Sequence, residues 1–73
     1  MEYNDKRLNK LGKNIAKYRK LKKLSQNGLA DILDISREHL AKIETSKRGI
    51  SIGLLLKLCD VLEISPDKLF DYK

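Results

Sequence analysis

QNGLADILDISREHLAKIE, running from Gln26 to Glu44, carries its apolar residues at Leu29, Ala30, Ile32, Leu33, Ile35, Leu40, Ala41 and Ile43. That spacing suits two short helices sharing one inner face. Between them lies Asp34-Ile35-Ser36. Aspartate is one of the few non-glycine types that tolerates a left-handed backbone, and Ser36 can cap the following helix by accepting a backbone N–H. The stretch reads as a helix, a tight turn and a second helix.

The second helix, Arg37–Glu44, is amphipathic. With Leu40, Ala41 and Ile43 turned inward, Arg37, Glu38, His39 and Lys42 fall on its outer face or flank. Such side chains suit base edges: Arg and Lys donate to guanine O6 and N7, Glu accepts from cytosine N4, and a helix fits the major groove. On residue types alone the same pattern serves equally as a solvated helix face.

The longer segment LSQNGLADILDISREHLAKIE, Leu24 to Glu44, resembles the helix-turn-helix of the lambda-repressor-like, or XRE, family of DNA-binding proteins. The Ser25-Gln26 pair, Ala30 and the closing Ile43-Glu44 all match. The flanking RKLKKLSQ, KRGISIGLLLKLCDVL and EISPDKLF extend the likeness to roughly Leu11–Phe70. It implies an all-α, five-helix DNA-binding domain over residues 6–73, while residues 1–5, which carry no periodicity, are expected to form a flexible N-terminus. Ser46 stands where glycine is common in the family and Ile50 where proline is common. The latter feature resembles the small controller regulators of restriction-modification operons.

The resemblance also assigns roles. Arg19 occupies the position that forms an inward ion pair with the glutamate closing the motif, here Glu44. Gln26 takes the place of the phosphate clamp, at a helix start whose free N–H groups and dipole favour an anion. Lys47, Arg48 and the N–H of Gly49 belong to a loop expected to lie along the sugar-phosphate backbone and to position the recognition helix without reading sequence.

Seventy-three residues make one domain near the lower size limit for a self-sufficient core. With 41% hydrophobic residues, 5% aromatic and no Trp, that core should be aliphatic and helical. Net charge is +6, and Met1–Lys23 alone holds nine basic residues against two acidic ones. An anionic partner follows, although a membrane surface or plain solubility would also use a basic helix. No apolar run approaches the roughly 18 residues of a membrane span, and the lone Cys59 suits a reducing compartment. The expected location is the cytoplasm.

The first helix is expected from about Lys6, with Leu8, Leu11, Ile15 and Tyr18 as its apolar stripe and Leu21 exposed. Gly12 points to close approach by another backbone or a phosphate. Ser25 is expected to cap the second helix. Lys23 stands where the family often has glycine, at a left-handed helix end, so lysine there implies either strain or a different cap. Asn27 and Gly28 depart from the family's usual choices.

A fourth helix should run from its cap at Ser51 to about Leu62. Ile52, Leu55, Leu56, Cys59 and Leu62 form its expected core stripe, with Cys59 a small apolar filler. A second stripe of Leu54, Leu58 and Val61 exceeds what one core can bury, which calls for a partner. Ser65-Pro66-Asp67 starts a fifth helix, after which Leu69 and Phe70 close the core. The expected assembly is a homodimer through Leu54, Leu58, Val61 and Phe70, with Tyr72 as a further candidate.

The chain shows no Ser-His-Asp or Cys-His set, no glycine-rich phosphate loop and no metal-ligand spacing. The reading is therefore no enzyme, no cofactor, no metal and no small-molecule ligand. Its leading function is a sequence-specific transcriptional regulator binding double-stranded DNA at a near-palindromic operator. Two competitors stand beside it: an antitoxin-like or scaffold module working through the apolar face of helix four, and non-specific nucleic-acid packaging.

Overall fold

The computed structural model describes residues 6–45, 47 and 49–71, with side chains from residue 9 onward. Arg48, Tyr72 and the segment 1–5, each given a role above, lie outside the described residues, and of Leu8 only the backbone is described. The helices are α1 (Lys6–Leu21), α2 (Gln26–Leu33), α3 (Arg37–Glu44), α4 (Ile52–Leu62) and α5 (Pro66–Leu69), and the described residues contain no strand.

Local chemistry sets these boundaries. Ser25, Ser36 and Ser51 sit in extended backbone ahead of α2, α3 and α4, and each hydroxyl accepts the N–H three residues on, from Gly28, His39 and Leu54. Such a cap satisfies one of the donors that a helix start leaves unpaired and contributes about 1 kcal/mol. Ser65 differs: its hydroxyl bonds the Asp67 carboxylate, while Pro66 pre-sets the first turn of α5. That bond holds the Asp67 carboxyl below its ordinary pKa.

At the other ends the chain turns through left-handed backbone at Lys23 (φ 58°), Asp34 (φ 58°) and Glu63 (φ 56°), none of them glycine. Asp34 ends α2 and makes the tight turn of the motif. At Glu63 the carboxylate also receives Lys22 Nζ at 3.0 Å, an exposed pair joining the end of α4 to the end of α1.

One aliphatic cluster holds the helices together. Leu11 and Ile15 of α1, Leu29, Ala30 and Leu33 of α2, Leu40 and Ile43 of α3, Leu55, Leu58, Cys59 and Leu62 of α4, and Leu69 of α5 are all buried. Each fully buried Leu or Ile contributes about 1.5–3 kcal/mol relative to exposure, so these side chains dominate the folding energy. Cys59 is an interior filler, and burial followed by the neighbouring Asp60 charge pushes its thiol pKa up, keeping it neutral.

Packing corrects several expectations from the sequence. On α4 the inward residues are Leu55, Leu58, Cys59 and Leu62, at i, i+3, i+4 and i+7. Leu58 has no exposed surface and cannot form part of a dimer interface, whereas Ile52 and Leu56, assigned to the core, are 71% and 52% exposed. Leu54 and Val61 are half-buried against the core. Ile32, placed on the inner face of α2, is 48% exposed, and Phe70 is 40% exposed instead of closing the core. Ala41 is half-buried, at the edge of the α3 outer face.

Gly12 is where α1 crosses α3. A Cβ added there would lie 2.5 Å from the Glu44 carbonyl oxygen and 2.7 Å from that of Ile43. Of the two reasons the sequence offers for this glycine, close backbone approach is the one the structure supplies. At the far side of α1, Asn14 Nδ2 donates to the carbonyls of Leu69 (2.9 Å) and Asp71 (3.0 Å), tying down the end of α5.

Candidate nucleic-acid interface

With α3 held from behind by Leu40, Ile43 and Glu44, its outward sector follows from the turn of about 100° per residue. Arg37, Ala41 and Thr45 lie along one line at i, i+4 and i+8, and Glu38 and Lys42 along the next. Together with Lys47 these residues line an open depression of about 270 Å³. Three cations, Arg37, Lys42 and Lys47, line it beside one carboxylate, Glu38. An anionic helix with hydrogen-bonding base edges matches such a surface in charge and in donor and acceptor content.

His39 stands apart from this sector. It is half-buried on the flank of α3, and its backbone N–H is taken by the Ser36 cap. Thr45, unremarked in the sequence reading, spends its hydroxyl on the Ala41 carbonyl at 2.8 Å, closing the last turn of α3. Ala41 and Thr45 could have been found from their spacing to Arg37. Gly49 is exposed, with open space around it, and Arg48 lies outside the described residues.

Behind the depression is a buried polar network. Arg19 Nε donates to Glu44 Oε2 at 2.8 Å, and its Nη2 donates to Oε1 at 3.2 Å, a two-point guanidinium–carboxylate pair with both residues buried. Arg19 Nη1 donates to the Leu24 carbonyl at 2.9 Å, reaching the turn before α2. Gln26, the first residue of α2, donates from Nε2 to Glu44 Oε1 at 3.0 Å. Among the described residues, no buried side-chain nitrogen or oxygen lacks a partner. The Arg19–Glu44 pair thus joins α1 and the end of α3 to the turn, through Arg19, and to the start of α2, through Glu44, a satisfied network of the kind that fixes one arrangement of helices.

Among the described residues there is no group of three His, Cys, Asp or Glu side chains placed to hold a metal ion, and no helix is long and apolar enough to cross a membrane.

The fold and this outward helix define a lambda-repressor-like helix-turn-helix protein. Residues 15–69 match the HTH_3 helix-turn-helix family, and the chain belongs to it. Its relatives include YazB of Bacillus subtilis, an uncharacterised HTH-type transcriptional regulator, 41% identical over 58 residues that span 80% of this chain and 84% of YazB. The restriction-modification controller protein C.AhdI from Aeromonas hydrophila has the same fold, with a TM-score of 0.84 at 33% identity over 90% of this chain and 100% of that one. SinR, a master regulator for biofilm formation solved in complex with DNA, superposes with a TM-score of 0.77 at 34% identity, covering 84% of this chain and 98% of its own.

Proposed function

We propose that this chain is a sequence-specific transcriptional regulator that lays α3 in the major groove of double-stranded DNA and binds a near-palindromic operator as a homodimer. The observation that carries this reading is the outward sector of α3, where Arg37, Glu38 and Lys42 border one open depression with Lys47. The likeness to SinR, solved with DNA, supports it. Arg37 and Lys42 are the donors to guanine, Glu38 the acceptor from cytosine, and His39 a flanking base or phosphate contact. Gln26, Lys47, Arg48 and the N–H of Gly49 hold the backbone and set the register.

Dimerisation rests on apolar surface. Ile52 and Leu56 stand exposed one turn apart on α4, with Leu54 and Val61 half-buried on the same helix and Phe70 exposed after α5. A two-fold pairing that covers this surface would set two recognition helices about 34 Å apart, one turn of DNA. The same surface would serve the protein-interaction module, but only the regulator also uses the cationic sector of α3.

A pair of substitutions tests the reading. Arg37→Ala should cost about 1–3 kcal/mol on the preferred duplex and little on random sequence, relaxing selectivity at one base pair. Lys47→Ala should weaken every duplex alike and lower the salt slope by about one. Equal losses on preferred and random DNA for Arg37→Ala would remove it from the base readers.

A further inference from the structure

The geometry points to Glu44 as a positioning residue for DNA binding: its carboxylate holds the Gln26 side chain in place to receive a phosphate. The inference rests on the reading of α3 and Gln26 given above. Glu44 is buried at the end of α3, so its acceptor oxygens face the protein interior and not the groove. Oε2 takes Arg19 Nε, while Oε1 is shared by Arg19 Nη2 and Gln26 Nε2. A primary amide has two N–H donors. With one committed to Glu44 at 3.0 Å, the carboxamide is fixed in orientation and the second N–H remains to donate to an oxyanion.

Charge makes the same point. A bare carboxylate beside a bound phosphate would repel it, but here the guanidinium of Arg19 lies against both Glu44 oxygens and neutralises them. Gln26 opens α2, where the backbone N–H groups of the first turn add their own attraction for an anion. Glu44 belongs to α3, so the phosphate ligand on α2 is tied by one hydrogen bond to the helix that reads bases. Backbone grip and base reading then share a fixed register.

A double-mutant cycle tests this, using as probes the duplex retained from a randomised pool and a scrambled duplex, with thermal melts confirming that each variant is folded during titration. Gln26→Ala should lower affinity about two- to tenfold on both duplexes, the effect of one hydrogen bond. Glu44→Gln should lower it at least as much, although its side chain never reaches DNA. Adding Gln26→Ala to Glu44→Gln should then cost less than a further factor of about two, while Arg37→Ala keeps its full cost in that background. Gln26→Ala costing as much in Glu44→Gln as in the wild type would overturn the inference. Loss of the Arg37 effect as well would mean general distortion, and would also overturn it.

Should Glu44→Gln not fold, the wild-type protein decides by side-chain amide NMR. The expected result is one slowly exchanging Gln26 Nε2 proton in the free protein, kept on adding duplex, while its partner proton shifts. Loss of that protection on binding would show Gln26 leaving Glu44 and would refute the positioning role. A wild-type protein that binds no duplex would instead sink the DNA-binding reading beneath it.

Discussion

Gly12 has no room for a side chain: a methyl there would meet two carbonyl oxygens at the end of α3, at 2.5 and 2.7 Å. Backbone cannot yield as a flexible side chain can, so Gly12→Ala must push α1 away from α3. The expected cost is about 1–3 kcal/mol, a melting temperature lower by several degrees in a domain this small. An unchanged melting temperature would show that the crossing is looser than described. Arg19, seven residues on, joins the same two helices through Glu44. Arg19→Ala leaves the Glu44 carboxylate buried without its charged partner and should cost about 3–5 kcal/mol. Arg19→Met combined with Glu44→Leu should recover most of that loss in a chemical denaturation series, because removing both charges removes the burial penalty. If the double substitution is as damaging as the single one, the pair contributes more than mutual compensation.

At the scale of elements, three helix ends turn left-handed without glycine. For an ordinary residue that conformation costs about 1–2 kcal/mol, which glycine avoids. Lys23→Gly and Glu63→Gly should therefore each raise stability in thermal melts, Lys23→Gly more clearly because Glu63 also gives up its pair with Lys22. A fall in stability for Lys23→Gly would mean that its side chain makes contacts which outweigh the strain. The left-handed positions at Asp34 and Lys23 were legible in the sequence, the first from residue type and the second from a departure within a resembling family. So was the outline of α2 to α5, because serine caps and Pro66 mark helix starts on their own, while α1 showed itself in the spacing of its apolar residues. The rotation of α4 was not legible. In IGLLLKLCDVL apolar residues occupy nearly every side, so periodicity cannot say which stripe faces in. The polar residues could not arbitrate either: Gly53, Lys57 and Asp60 mark one exposed side but leave both of its neighbours open. Contacts with α2 and α5 settle the matter, burying Leu58 and leaving Ile52 and Leu56 outside. Asn14 was illegible for a related reason, since its two acceptors lie more than fifty residues away.

Over the whole molecule, an aliphatic core fixes α3 with its charged sector outward, and two features lie outside that core's needs: the cationic depression and the exposed apolar pair on α4. DNA would occupy the first and a second copy of the chain would cover the other. Sedimentation at tens of micromolar should show a dimer, and Leu56→Lys should shift it to monomer without lowering helix content. A wild-type monomer at that concentration would remove the two-fold arrangement while leaving the single-site interface intact. The most direct measurement of the central claim is selection: incubate the protein with a randomised duplex pool at about physiological salt, where non-specific binding is typically weak, and sequence what it retains. A two-fold dimer reading bases through α3 should enrich an inverted repeat with half-site centres about one helical turn apart. Retention without enrichment would contradict sequence reading by α3, and no retention at all would turn the function over to the apolar face of α4.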